Sequence, residues 1–289
     1  SRPALKSGAA RQRQENRMQI EQAVARLLLS DRKLRLASDL RSAAHLVKLA
    51  AASPRRKPAG ARAMAPPVAV RLRALNDERV LLRPQTSDYD VMLETFLGRF
   101  HLEPVQRAPR TIFDLGANIG LTMAHYAVLY PDAQILGVEL DADNFALCQQ
   151  NVAPYRDRCT VQCGAVWSED GDVTYGRSRG HEWGFAVGGS PGDEQVAAPA
   201  FSMNSLLERS GWAGVDFVKM DIEGAEREVL RQETAWASKV RSIGVEVHPP
   251  YTVEQCEHDL RDLGFRTARL VSHEAGVVGD RPASNTADP

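Results

Sequence analysis

A short apolar stretch, Thr111-Ile112-Phe113-Asp114-Leu115, runs into Gly116-Ala117-Asn118-Ile119-Gly120 and then into a segment with helical spacing. Glycines at such a turn let the chain bend sharply and let a ligand come close to the backbone. The same strand-then-helix pattern recurs downstream. Apolar runs predict strands at 111–115, 135–139, 159–163, 215–220 and 242–247, and the spacing predicts helices at 119–130, 142–152, 223–231 and 253–263. Pro131 and Pro154 follow two of these helices, as stop signals should. Strands alternating with helices imply an α/β fold built on a mostly parallel sheet with both faces covered. Ligands of such sheets bind outside the carboxyl ends of the strands, so a nucleotide-type site is expected at this first loop.

The loop has Gly116-x-Asn118-x-Gly120, which is not the G-x-G-x-x-G spacing of a dinucleotide site. Asp114, at the strand end, would repel a pyrophosphate there. It suits a ligand that carries an ammonium and a sulfonium and no phosphate, and S-adenosylmethionine is such a ligand. The next strand ends in Glu139, placed to accept hydrogen bonds from two ribose hydroxyls. Asp141 is expected to cap the following helix, with Asp143 beside it. Ala165, in Gly164-Ala165-Val166, either lines an adenine slot or is plain packing. The candidate cofactor residues are thus Asp114, Gly116, Asn118, Gly120, Glu139 and Ala165.

The chain resembles the FkbM family of S-adenosylmethionine-dependent methyltransferases. The resemblance is carried by Ile112-Phe113-Asp114-Leu115-Gly116-Ala117-Asn118-Ile119-Gly120, Gly137-Val138-Glu139, Asp216-Phe217-Val218-Lys219-Met220-Asp221-Ile222-Glu223-Gly224-Ala225-Glu226, and Val245-Glu246-Val247-His248-Pro249. It spans about residues 110–265. It implies a Rossmann-like class I methyltransferase sheet of seven mostly parallel strands, with an antiparallel strand near the C-terminus. It also implies O-methylation of a small-molecule hydroxyl on a sugar, glycoside or polyketide-type natural product. The family's cofactor role carries over to Asp114, Gly116, Asn118, Gly120 and Glu139.

Two strand ends offer chemistry. Residues two apart on a strand share a face, so Asp221 and Glu223 converge if the extended chain continues, as do Glu246 and His248. If the two strands are neighbours, three carboxylates and a histidine surround one cleft. Asp221 is the expected floor of the active site. His248, with an ordinary pKa near ~6.5, is either a general base or a strand-end histidine bonded to backbone. Glu223 either binds substrate or stabilises a helix start. Glu246 is expected to hold substrate, or with Asp221 a divalent cation such as Mg²⁺ or Ca²⁺. No residue is assigned as a metal ligand. Glu226 and Glu228 read as structural.

Charge is divided unevenly. Residues 1–73 hold 17 Lys and Arg against 4 Asp and Glu, whereas the remainder holds 19 against 33. Residues 1–14 read as disordered. Amphipathic helices are expected at 15–29, with Ile20, Val24, Leu27 and Leu28 on one face, and at 31–52, with Leu36, Leu40, Ala44 and Val47 on one face. Residues 53–67 read as a proline-rich linker. Val68–Leu75 and Val80–Arg83 read as a hairpin, and Asp90–Phe100 as a helix. The division expected is a basic helical extension over 1–67, a methyltransferase domain over 68–279 and a disordered tail over 280–289.

The basic arm carries no Phe, Trp or Tyr before Tyr89, which argues against single-stranded nucleic acid. Packing on the core or homo-oligomerisation through these helices is expected instead. The glycine-rich segment 176–200 is either a lid, with Trp183 meeting a sugar face beside His181, Glu182 and Phe185, or a plain surface loop. The four cysteines show no zinc spacing and no apolar run reaches ~20 residues, so a cytoplasmic chain with reduced thiols and no membrane span is expected. A nicotinamide-dependent oxidoreductase and a non-catalytic protein that keeps the fold are the competing readings.

Overall fold

A computed structural model describes residues 31–53, 65–102, 108–177 and 194–281, apart from Ser272. The glycine loop follows β3 (Thr111–Leu115), which pairs in parallel with β4 (Gln134–Glu139) on one side and β9 (Val215–Met220) on the other. β5 (Cys159–Cys163) extends the sheet beyond β4, and β10 (Val240–Glu246) extends it beyond β9. Chain order reverses at β3, which opens a crevice at the carboxyl ends of these strands. β12 (Gly276–Asp280) pairs antiparallel with β10, and β11 (Arg266–Arg269) closes that edge. The order is β11-β12-β10-β9-β3-β4-β5, seven strands with one antiparallel to the body of the sheet.

Helices cover both faces. On one, α3 (Leu121–Leu129) and α4 (Ala142–Val152) pack with Ile112, Ile135 and Phe217. On the other, α5 (Met203–Ser210), α6 (Glu226–Arg231) and α7 (Val253–Asp262) enclose the largest apolar cluster, which contains Phe113, Val218, Ile243 and Trp236. Asp141 caps α4, accepting from the N–H groups of Asp143 and Asn144. A separate three-stranded sheet holds β6 (Ala165–Val166), β7 (Gly171–Arg177) and β8 (Glu194–Phe201). The ends of the segment expected as a loop at 176–200 are therefore strand, and His181, Glu182, Trp183 and Phe185 lie outside the described residues.

The N-terminal region differs from expectation in two ways. The helix expected from residue 31 begins at Leu40, because Asp39 is extended and its carboxylate caps the N–H of Ser42, giving α1 (Leu40–Ala52). Its buried face is Ser42, Ala43, Leu46 and Leu49, while Leu40 and Val47 are exposed. The expected helix at 15–29 lies outside the described residues. The hairpin forms from β1 (Val68–Arg71) and β2 (Arg79–Leu82), turning through Asn76 and Asp77 in left-handed conformation, and the helix expected at Asp90–Phe100 is α2 (Asp88–Leu93) followed by a π turn over Glu94–Gly98.

α1 and the hairpin share one apolar cluster with Ile119, Leu121, Ala124 and Leu147 of the α3–α4 layer. Leu46 is fully buried there. Leu46→Ala is therefore expected to cost about 2–5 kcal/mol of global stability in urea unfolding. An unchanged midpoint would show that α1 does not belong to this core. At the other end, β12 runs through Asp280, and the Arg281 side chain donates to Ala237 O and Val240 O, so the ordered chain passes residue 279. No described helix is long and apolar enough to cross a membrane.

Candidate active site

The β3–α3 loop folds tightly because three of its residues take a left-handed backbone: Gly116 (φ 80°), Asn118 (φ 49°) and Gly120 (φ 82°). The N–H groups of Gly116 and Ala117 donate to Val138 O at the end of β4. Asn118 tolerates its conformation and accepts a bond from Ile119 N at 2.7 Å. Its own N–H donates to Glu139 at 2.8 Å, so the second strand end holds the first loop.

A cavity of about 600 Å³ opens beside this loop, at the carboxyl ends of the strands. Asn118, Glu139 and Ala165 line it on the β4 side of the loop, Asp221, Glu223, Glu246 and His248 on the β9–β10 side, and Gly116 lies between them. All four expected catalytic residues are thus brought together, β9 and β10 being parallel neighbours.

Asp114 and Gly120 are not on the wall. Asp114 was expected at the mouth of the loop, but it is fully buried beneath it, accepting a hydrogen bond from Thr122 Oγ1 and lying 3.5 Å from Lys219 Nζ. Burial raises its pKa, and Lys219 opposes that shift. Gly120 serves packing: a Cβ there would stand 2.8 Å from Cys148 Sγ on α4. Both support the loop from behind.

Glu139 is buried, and accepts from Asp141 N at 2.9 Å and Asn144 Nδ2 at 3.4 Å as well as from Asn118. Burial pushes its pKa up to about 7, against the pull of these donors.

On the β9–β10 side of the cavity the strand does not simply continue. Glu223 takes a left-handed backbone (φ 54°), Gly224 follows at φ 103°, and the helix expected from residue 223 starts at Glu226. The cause is Glu226 itself. Its fully buried carboxylate accepts from the N–H groups of Ile222 (3.3 Å) and Gly224 (3.1 Å), folding the turn back on the helix start. A helix-start role for Glu223 is thereby excluded, and its side chain faces the cavity.

Glu226 also binds His248 Nδ1 at 2.9 Å. His248 Nε2 then lies 3.3 Å from Glu223 Oε2 and 3.9 Å from Asp221 Oδ1. Burial disfavours the imidazolium, but Glu226, Glu223 and Asp221 outweigh it and raise His248 to about 9. A pKa raised in this way disfavours His248 as a base at neutral pH. Burial and Asp221 push both Glu223 and Glu246 up to about 7.

Several wall residues carried no assigned role in the sequence. Lys219 is the main one. Its Nζ donates to Gly116 O at 2.9 Å and Asp221 at 3.0 Å, tying the glycine loop to the acidic strand end. Burial opposes its charge, but Asp221 and Asp114 hold it above its ordinary pKa. A lysine within the apolar strand Val215–Met220 was the available signal. His273 Nε2 lies 3.3 Å from Glu246. His101 pairs with His125 at 2.9 Å, and burial lowers the two to about 2 and about 4, so both are neutral. These histidines sit outside the strand–helix alternation, and no spacing pointed to them.

Crevice, glycine loop and acidic strand ends define a doubly wound α/β protein with a cavity at the carboxyl ends of its strands. The model of the Methyltransferase FkbM domain matches residues 114–267, just over half of the chain, and the chain belongs to that family. Its seven strands form a mostly parallel, Rossmann-like sheet with one antiparallel strand.

No curated protein matches the sequence. Among solved structures, an O-methyltransferase family protein from Burkholderia thailandensis is 12% identical, with a TM-score of 0.42 over 69% of this chain and 59% of that one. The O-methyltransferase TomG from Streptomyces achromogenes, involved in tomaymycin synthesis and solved with S-adenosylmethionine, is 13% identical, with a TM-score of 0.39 over 64% of this chain and 79% of that one. The present chain thus spans less than two thirds of the Burkholderia protein.

Proposed function

We propose that this chain transfers a methyl group from S-adenosylmethionine to a hydroxyl of a small molecule, a sugar, glycoside or polyketide-type natural product. The observation that carries the reading is the sign of the cavity wall. Apart from histidines, Lys219 is its one cation among the described residues, and Lys219 is committed to Asp221 and Asp114. Glu139, Asp221, Glu223 and Glu246 all face the cavity. A dinucleotide pyrophosphate would meet carboxylates on both sides, which disfavours an oxidoreductase. A ligand with ribose hydroxyls and positive charge fits. S-adenosylmethionine supplies, when bound, an electrophilic methyl group on a sulfonium.

Glu139, fixed by three N–H donors, is positioned to accept from ribose hydroxyls, with Asn118, Asn144 and Ala165 around it. On the β9–β10 side, Asp221 is the group that accepts the proton-bearing edge of the acceptor hydroxyl, with Lys219 fixing its orientation. His248, held at Nδ1 by Glu226, presents Nε2 towards Asp221 and Glu223 on the acceptor side. Holding acceptor and methyl group in line is itself a large part of such catalysis, up to ~7–11 kcal/mol.

Calorimetric titration with S-adenosylmethionine tests the reading, and absence of binding by folded protein would overturn it. The pH dependence adds a sign. Glu139 holds its proton in the folded chain between its ordinary value of 4.5 and about 7. It therefore favours folding below that window, and this contribution is lost as pH rises through about 7. Ribose binding needs the ionised form, so affinity is expected to rise roughly tenfold from pH 6 to pH 8. Glu139→Gln is expected to bind more weakly and to flatten this rise. An equally steep rise in the variant would show that another group controls it.

A further inference from the structure

We propose that Asp221, Glu223 and His248 bind a divalent cation in the acceptor half of the cavity. One donor atom from each lies within 4.8 Å of the others. Ligand atoms about 2.0–2.2 Å from one ion stand roughly 2.8–3.6 Å apart at octahedral or tetrahedral angles. His248 Nε2 is already 3.3 Å from Glu223 Oε2 and 3.9 Å from Asp221 Oδ1, so small side-chain rotations close the site.

Two of the three donors are presented by a partner on their far side. Lys219 takes Asp221 Oδ2 and leaves Oδ1 towards the histidine. Glu226 takes His248 Nδ1, and Glu226 is itself fully buried and pinned by two backbone N–H groups. The ring therefore has one orientation, with Nε2 towards the two carboxylates. Nε2 makes no hydrogen bond among the described residues, although two carboxylate oxygens stand near it. A histidine whose other nitrogen is fixed by a buried carboxylate is the usual support for a metal-ligating imidazole. One imidazole and two carboxylates suit Mn²⁺ or Zn²⁺, and the partly exposed side of the set leaves coordination positions for water or an acceptor hydroxyl. On the methyltransferase reading, such an ion would lower the pKa of that hydroxyl; binding of the ion does not depend on that reading.

The experiment is a Mn²⁺ titration of the chelator-stripped full chain, followed by the loss of the free-ion electron paramagnetic resonance signal. One bound ion per chain is expected. His248→Gln and Glu223→Gln should each weaken binding by at least about tenfold, and Glu226→Gln by about 10–100-fold. Circular dichroism and thermal melting establish that each variant is folded. No bound Mn²⁺ at millimolar concentration, or binding that survives both ligand substitutions, overturns the proposal. S-adenosylmethionine titrated in the presence of chelator separates the two readings: cofactor binding without Mn²⁺ binding removes the metal site alone, and the reverse removes the methyltransferase reading alone.

Discussion

Asp221→Asn is expected to lower kcat by roughly 10²–10⁴-fold, the range associated with loss of a positioned proton acceptor. The Kd for S-adenosylmethionine should stay within about tenfold, or ~1.4 kcal/mol. The asymmetry follows from where the side chain stands. Its two oxygens face Lys219 and His248, on the β9–β10 side of the cavity, away from Glu139. The amide keeps the shape and removes the charge. Lys219 retains Gly116 O and Asp114, so the cofactor loop keeps its anchor. Single-turnover kinetics together with calorimetry read the two quantities separately. A kcat within threefold of wild type would take Asp221 out of the chemistry. Parallel loss of cofactor binding would show instead that the Lys219–Asp221 pair holds the loop.

The parallel body of the sheet was legible because strands buried on both faces read as apolar runs. Thr111–Leu115, Cys159–Cys163 and Val215–Met220 fall where the sequence places them. β11, by contrast, is Arg266-Thr267-Ala268-Arg269, a polar edge strand with little burial and hence no apolar signature. β7 and β8 flank a glycine-rich segment whose composition reads as loop, and pairing across that segment is a long-range fact no local pattern contains.

The site shows the same division. Strand ends are legible, because sheet topology brings Glu139, Asp221 and Glu246 to one crevice. Depth is not. Glu139 ends β4 and Asp114 stands one residue before the end of β3, but Asp114 points beneath the loop to Thr122 and Lys219 while Glu139 reaches the cavity. Sequence also gave Glu226 no role beyond the helix. Only the left-handed turn at Glu223 and Gly224 brings its carboxylate under His248. That contact fixes the ring at Nδ1 and turns Nε2 towards Asp221 and Glu223.

Gly116→Ala should damage both ends of the site at once. Gly116 has φ 80°, where a non-glycine residue costs about 1–3 kcal/mol. A Cβ there would also stand 1.8 Å from the backbone oxygen of Asp221, and backbone cannot rotate aside as a side chain can. The two strand ends are joined at this point, since Asp221 N donates to Leu115 O at 3.1 Å and Lys219 Nζ to Gly116 O. Relief of the clash must therefore push Asp221 away from the loop or pull the loop off Val138, and Asn118 off Glu139 with it. A total cost of about 3 kcal/mol is expected, which for a chain of this size lowers Tm by ~6–12 °C. Cofactor affinity should fall by more than the roughly tenfold allowed for Asp221→Asn, and turnover should fall with it. Thermal melting and calorimetry on the purified variant check both. An unchanged Tm with wild-type affinity would mean that the loop and the β9 end separate freely, and that the close contact of Gly116 with Asp221 does not set the geometry of the site.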